Sequence, residues 1–581
     1  MMAVTAPFLI RHTKVGLEFQ GGYEILYKAS PKTPGSPVTH ATLLETAQLL
    51  EKYANAMGVS EPDVRLEGTD QIRVKLAGVS SNDQVRKMMQ TGQLPLNITE
   101  KYSQTVGGVL GMADLHDTLL AGTIALAIII GFLLLVYRAP GAVAGFTLVF
   151  SLWLLLVAFS TLHATLSIAA IVAFVLGFGI LSGANILTFE RIKEESHRHD
   201  AAWALRKGHK VSFRTILDSS ASVLIAAIIL FVAGIGPIRG FALTLMLSVA
   251  VSIIGSVLLT RFLLYLIADE KRLRHTLFFT PNRAVSSSGF DFVKHGGKFL
   301  AASLLIAAVG GVSLVRGQLN YDIDFKAGTA LDVIIPKTIT QDEATDIMTK
   351  AGVPPATVAI GGVKQNQVAA RFDNVLKSDQ LGQVISAFKS VFGSTVAYQE
   401  NTADPAVARS LAQQAIYAIA FAIVGLFAFV SLRFGWRFAT ATTVALLNAT
   451  FFVLTVFSLF HLEIDVTFIA AILTVMGYTI NDTVIVFDRV LENLKRGKMT
   501  GSLADIANMS IHQTLKRAIY TVLTVVTGSI CLYFFGAEPL QMFSLAILMG
   551  LLCATFSSIF LAVPVWYRLS RHQHLVQDVA A

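Results

Sequence analysis

Apolar runs long enough to cross a bilayer recur along the 581-residue chain, separated by short polar stretches and by two long mixed segments. Six lie near 118–137, 143–161, 166–188, 215–234, 240–267 and 299–315, and five near 411–431, 438–459, 466–488, 518–535 and 540–563. A span needs about 20 mostly apolar residues, so each run predicts a transmembrane helix. Between the third and fourth runs fall Arg191, Lys193, Arg198, Arg206, Lys207, Lys210 and Arg214. Lys271, Arg272, Arg274 and Arg283 follow the fifth, and Arg489, Lys495, Arg496 and Lys498 the ninth. Positive loops face the cytoplasm, and counting spans puts all three on that side. The same count places 1–117 and 317–410 outside. The opening stretch "MMAVTAPFLIRHTKVGLEF" holds no apolar run able to export the first of these, so about 11 spans are read here and 12 are expected.

The two mixed segments share a pattern. In the second, "NYDIDFKAGTALDVIIP" alternates as a strand, and Thr340 with Glu343 forms a capping box opening a helix through Ala351. "TVAIGGVKQNQVAARFD" then reads as a hairpin, "SDQLGQVISAFKSVF" as a helix and "STVAYQE" as a strand. The first segment offers a strand at 15–28, a helix near 41–57, a hairpin at "DVRLEGTDQIRVKLAGV", a helix capped by Ser81 and Gln84, and a strand near 94–104. Both are β-α-β-β-α-β, a ferredoxin-like α+β layout.

The whole chain is a repeat. "GFGILSGANILTFERIKEE" ends the third run and "GYTINDTVIVFDRVLEN" the ninth; aligned on Phe189 and Phe487 they share Gly179/Gly477, an acid at 190/488 and Arg191/Arg489. Parallel repeats are a transporter architecture with the working site near their interface. The domains are therefore 1–117 (exterior), 118–267 (five-helix half), 268–298 (cytoplasmic linker), 299–316 (a further span), 317–410 (exterior), 411–567 (five-helix half) and 568–581 (cytoplasmic tail).

Composition agrees. The chain is 54% hydrophobic and 14% charged, against about 25% charged in soluble domains. The formal charge of +8 sits in loops, where topology requires it, so nucleic-acid binding is not implied. Cys531 and Cys553 lie inside apolar runs and supply neither a disulfide nor a metal framework. No phosphate loop, zinc-protease motif or nucleophile elbow occurs, so no enzyme, cofactor or metal is read here. Energy must come from an ion gradient or another protein.

Asp482 lies in the inner half of the ninth span. An aspartate there costs roughly 3 kcal/mol and needs a reason. A carboxyl in low dielectric resists ionisation and can carry a proton near neutral pH; a structural ion pair is the alternative. Asn481, Thr483 and Asn185 can hydrogen-bond across the repeat interface, although helix packing is the better explanation from the sequence alone. Gly177, Gly179, Ser182 and Gly183 let helix three pack closely. Asp218 has Arg214 one turn before it as a local partner and is the other acid placed to act in the first half. Arg517 opens the tenth span, where position alone makes it a snorkelling anchor.

These motifs resemble a SecD–SecF fusion, the accessory component of the bacterial Sec translocon, within the proton-driven RND superfamily. "VGLEFQGG" (15–22) is similar to the opening of the SecD exterior domain, with Glu18 where aspartate is usual, and "GIGPIRGFALTL" (234–245) to the entry into the fifth span of that half. "YDIDFKAGT" (321–329), "INDTVIVFDRVLEN" (480–493), "HQTLKRAI" (512–519) and "FSLAILMGLLCATFSSIFLAVP" (543–564) resemble SecF motifs in SecF order. The resemblance implies a polytopic α-helical protein of the bacterial cytoplasmic membrane that uses the proton motive force to assist protein export. Implied partners are the SecYEG channel, the SecA ATPase and unfolded preprotein, alongside membrane lipids. Asp482 would carry protons with Arg517 as its charge partner. "LSGAN" puts Gly183 where SecD has an aspartate, and helix three is expected to pack tightly there. The first exterior domain is expected to lack the head subdomain of longer members. An exporter of lipids or small molecules and a non-pumping translocon scaffold are the alternative functions.

Overall fold

The computed structural model describes residues 5, 16–32, 37–56, 62–77, 94–106, 108–162, 164–196, 201–233, 237–269, 290–317, 319–361, 366–393, 396–495, 502–537 and 540–571. Two compact units emerge: Met1–Lys14, Asp117–Asn320 and Ala415–Ala581 form one, Val15–His116 and Tyr321–Gln414 the other.

Among the described residues, eleven helices are long and apolar enough to cross a membrane. Spans one to six are Gly111–Tyr137, Ala139–Thr161, Ile168–Ser196, Ala202–Val232, Ile238–Ile267 and Phe292–Val315. Spans seven to eleven are Pro405–Phe434, Trp436–Leu459, Val466–Lys495, Leu503–Phe535 and Gln541–Ser570. Helices satisfy their own backbone groups, which is why apolar runs of this length take that form in lipid. Spans three and nine are the most enclosed, with 83% and 89% of their apolar cores buried; they are the centres of the two halves. Spans five and eleven each change to a π-helical turn partway, at Ile254–Leu259 and Ser558–Ala562.

The second unit is one eight-stranded sheet. Its strands are β1 (Gly22–Ser30), β2 (Asp63–Glu67), β3 (Gln71–Ala77), β4 (Asn97–Val106), β5 (Gly328–Ile334), β6 (Thr357–Gly361), β7 (Gln367–Phe372) and β8 (Ala397–Ala403). The order is β2-β3-β1-β4-β8-β5-β7-β6. Each lobe has the strand order of a ferredoxin-like fold, and their last strands meet, Tyr102 opposite Ala403 through Val106 opposite Gln399. The edges that would otherwise be exposed thus protect each other. The sheet ends are β2, which carries Asp63, Arg65 and Glu67, and β6, which carries no charge. One core packs Ile25, Tyr27, Ile72 and Val74 against the helix His40–Ala56. The other packs Leu331, Val333, Val368 and Phe388.

Several local expectations change. The segment read as a continuous strand at 15–28 begins instead with a short helix, Leu17–Gln20, and the one from Asn320 is broken after a two-residue strand, Asn320–Tyr321, by another, Ile323–Lys326. Both are followed by two residues of positive φ, Gly21 and Gly22 in the first lobe, Ala327 and Gly328 in the second. Four helical residues are too few to show a 3.6-residue period, so alternation misleads there. At Gly328 a side chain would collide with the carbonyl oxygen of Phe372, which leaves glycine alone able to turn the chain into β5. The last strand begins at Ala397, later than read. The capping box of Thr340 and Glu343 forms as expected. The helix expected from Ser81 and Gln84, the basic residues Arg198, Lys271, Arg272, Arg274, Arg283, Arg496 and Lys498, and the tail beyond residue 571 lie outside the described residues.

Candidate functional site in the membrane unit

Asp482 is buried on span nine and borders a cavity of about 30 Å³ between the halves, enough for a water molecule or two. Span three contributes Gly179 and Gly183, span four Ser219 and Ser220, span nine Tyr478 and Asn481, span ten Thr521 and span eleven Leu551. The Thr555 hydroxyl of span eleven lies 3.5 Å from Asp482 Oδ2 and is its hydrogen-bond donor. Among the described residues no cation forms an ion pair with Asp482. A buried carboxyl with one weak neutral donor is poorly supported as a permanent anion.

Arg517 is buried nearby on span ten, but it does not hold Asp482. Its Nη2 donates to the carbonyl of Ile485 at 3.3 Å, three residues after the acid, while its Nε finds no partner among the described residues. The guanidinium is therefore close to Asp482 and incompletely satisfied.

The other sequence candidates fall elsewhere. Asn185 stays within the first half: its Nδ2 donates to Thr147 at 3.2 Å, and its Oδ1 accepts from Thr260 at 2.9 Å. Thr483 donates to Thr479 O of its own helix at 2.6 Å. Neither crosses the interface. Threonine in a helix readily bonds the preceding turn, and Asn185 finds partners on spans two and five before reaching the second half. Asp218 pairs not with Arg214 but with Arg433 at the end of span seven, Nε to Oδ1 at 2.9 Å and Nη2 to Oδ2 at 2.6 Å. That fork fits a carboxylate better than a helical neighbour can.

The packing expected at Gly183 is also corrected. A Cβ there would meet only Thr521, its methyl at 3.5 Å. The tight contact is one turn earlier, where a Cβ at Gly179 would come within 2.5 Å of Val525 Cγ2. Gly183 thus faces the cavity that Asp482 borders, with room for a side chain.

Interactions that do cross the halves were not evident from the sequence. Tyr478 donates to Leu176 O at 3.0 Å, and Thr215 to Asp488 Oδ2 at 2.7 Å. Below them, Arg191 and Glu194 of span three meet Arg489 and Glu492 of span nine. The repeat alignment already paired Arg191 with Arg489; their acidic partners, one turn further on, were the available signal.

Comparison with known proteins decides the family. The pattern described as "Protein export membrane protein SecD/SecF, C-terminal" matches residues 85–270 and 383–572, and that of the SecDF P1 domain, N-terminal, matches 44–100. The protein translocase subunit SecDF of Bacillus subtilis (strain 168) is 32% identical over 95% of this chain and 94% of its own length. The chain belongs to the SecD/SecF family. Within that family, the SecF subunit of Alicyclobacillus acidocaldarius is 34% identical over 48% of this chain and 92% of its own. The crystal structure of SecDF from Thermus thermophilus shares the fold at a TM-score of 0.85 and 23% identity, covering 98% of this chain and 100% of that one. The Bacillus alignment runs over 693 positions, more than the 581 residues here, so that relative has internal stretches without a counterpart in this chain. Family membership makes this a multi-pass inner-membrane protein with exterior domains, serving Sec-dependent protein translocation in an auxiliary role.

Proposed function

We propose that the protein uses the proton motive force to assist preprotein export, with Asp482 as the proton carrier and Arg517 as the charge that responds to it. The observation that carries this reading is a buried carboxyl beside a water-sized cavity between two repeats, with no ion-pair partner among the described residues. A proton gains about 2.3 kcal/mol per 100 mV in crossing the membrane, enough over several protons to drive a domain movement. Proton arrival neutralises Asp482; proton loss restores a charge that attracts the unsatisfied Arg517 guanidinium. Each cycle therefore alternates two arrangements of spans nine and ten. Asn481 and Thr521 line the cavity, and their polar side chains support water there.

The exterior unit holds an emerging, unfolded preprotein and releases it in step with proton passage, beside SecYEG and SecA. An extended chain suits β-addition to a sheet edge, and β6 is the end strand that lacks the charges which discourage such pairing.

Asp482→Asn keeps the size of the side chain and cannot carry a proton. Gradient-driven export by the full chain in membrane vesicles is expected to fall to the level seen without a gradient, at equal expression. Undiminished stimulation would leave Asp482 a structural role only. A second reading, a non-pumping scaffold, draws on Gly183, which leaves the cavity with a single acid. Assistance that survives collapse of the gradient would favour it.

A further inference from the structure

We propose that Thr555 is a positioning residue for the Asp482 carboxyl, and that its one hydroxyl proton ties the charge of that carboxyl to the backbone of span eleven. The inference rests on the reading of Asp482 as the proton carrier. Thr555 Oγ1 lies 2.9 Å from Leu551 O of its own helix and 3.5 Å from Asp482 Oδ2. A hydroxyl donates one hydrogen bond, so it serves one of these acceptors at a time. A neutral Asp482 brings its own proton and donates to Thr555 Oγ1, which leaves the Thr555 proton on Leu551 O. An ionised Asp482 only accepts, and a buried carboxylate short of donors is costly. The hydroxyl then turns to Asp482 and releases the Leu551 carbonyl.

That carbonyl lies two turns before the π-helical turn Ser558–Ala562, where the regular i to i−4 ladder is already interrupted. The first half repeats the arrangement on a different sequence. Thr260 borders the π-helical turn Ile254–Leu259, and its hydroxyl is shared between Gly255 O at 3.1 Å and Asn185 Oδ1 of span three at 2.9 Å. In each half, then, a threonine near the irregular turn of that half's last helix divides its hydroxyl between the helix's own backbone and a polar residue of the central helix. Thr260 follows its turn, whereas Thr555 precedes its own. Only the second half ends on a titratable group, so only there does protonation decide which acceptor is served.

Among the described residues, the titratable or charged groups near Asp482 are Tyr478 on its own helix, which donates to Leu176 O, and Arg517 on span ten, which donates to Ile485 O. The cavity-lining residues of spans three, four and eleven include none. Thr555 is thus the donor through which a change on span eleven reports on Asp482.

The test uses the full chain reconstituted in lipid vesicles. The infrared band of the neutral Asp482 carboxyl, assigned by its loss in Asp482→Asn, is titrated against pH. Thr555→Val keeps the shape and removes the donor, so the midpoint is expected to rise by about one pH unit, carrying the pH profile of gradient-driven export with it. Thr555→Ser is expected to restore both to within about 0.3 unit of the parent; Thr555→Ala replaces valine if that variant folds poorly. An unmoved midpoint in the hydroxyl-free variants overturns the proposal, and export lowered equally at every pH with that midpoint unmoved reduces Thr555 to packing. Gradient-driven export at the parent level in Asp482→Asn would instead overturn the proton-carrier reading.

Discussion

Arg191 of span three stands 2.9 Å from Glu492 of span nine, and its repeat counterpart Arg489 stands 3.2 Å from Glu194, the counterpart of Glu492. Within each helix the same residues pair again, Arg191 with Glu194 at 3.2 Å and Arg489 with Glu492 at 2.9 Å. Four charges therefore close a ring between spans three and nine. Both guanidinium groups are buried while the carboxylates reach solvent, Glu194 at 40% side-chain exposure. Removing one arginine leaves two acids sharing the other.

Arg191→Gln is expected to destabilise the membrane unit by about 1–3 kcal/mol, less than a fully buried pair because the carboxylates are partly solvated. Glu492→Gln in the same background should recover part of the loss. Thermal unfolding in detergent for the two single variants and the double variant measures the coupling. Strict additivity would mean that the ring contributes nothing across the halves.

The spans and the two ferredoxin-like lobes were legible because each rests on a repeated pattern: apolar runs of bilayer length, and the order β-α-β-β-α-β. The joining of β4 to β8 was not legible, since pairing between strands so distant in the chain leaves no local mark. Asp482 stood out as a charge against an apolar background, whereas Arg517 read from position as a snorkelling anchor and gained a role only through the family resemblance. Thr555 did not, because a threonine in an apolar run is unremarkable until its neighbour is known. Asp218 misled for the opposite reason. Helical spacing offered Arg214 as a partner, and the structure offered a better one from another span.

Asp218 lies outside the cavity lining and is held by two atoms of Arg433. Asp218→Asn is therefore expected to act on stability, by about 1–3 kcal/mol, by leaving an arginine unpaired at the edge of the membrane unit. The ratio of export with and without a gradient should stay at the parent value. Loss of gradient dependence in a stably folded Asp218→Asn protein would make Asp218 a second carrier.

In the exterior unit, Glu24 is buried against Arg73 and takes Lys75 Nζ at 2.7 Å, while Arg73 also holds Glu67 at 2.8 Å. Burial pushes the Glu24 carboxyl up, but Lys75 and Arg73 together bring it below its usual value of 4.5. A carboxyl lowered by folding contributes stability above its unfolded value, and that contribution fades as pH falls through the folded one. The sheet is expected to lose protection from amide exchange as pH drops below about 4.5. In Glu24→Gln this part of the pH dependence should disappear, with a neutral-pH cost of about 2–4 kcal/mol, moderated by the Glu67 contact that Arg73 retains. An unchanged acid profile in the variant would show that other carboxylates set it.

Gly183→Asp tests the cavity itself. The expectation from "LSGAN" was a tightly packed helix three that would reject a carboxyl, but a Cβ at Gly183 meets only Thr521, at ordinary contact distance. Close packing belongs to Gly179, which abuts Val525 of span ten. The variant is therefore expected to fold and to reach the parent level in the membrane. The new carboxyl would border the same small cavity as Asp482, and two acids sharing such a space do not ionise together. One proton is then held between them until higher pH, so gradient-driven export should keep its dependence on Asp482 while its pH profile moves upward by about one to two units. Thr521→Ala in the same background enlarges the space and should reduce that movement by admitting water around both groups. Export measured from pH 6 to pH 9 beside the parent decides the matter. A protein that fails to accumulate would return the argument to packing, and an unmoved profile would mean that the two side chains do not share the cavity.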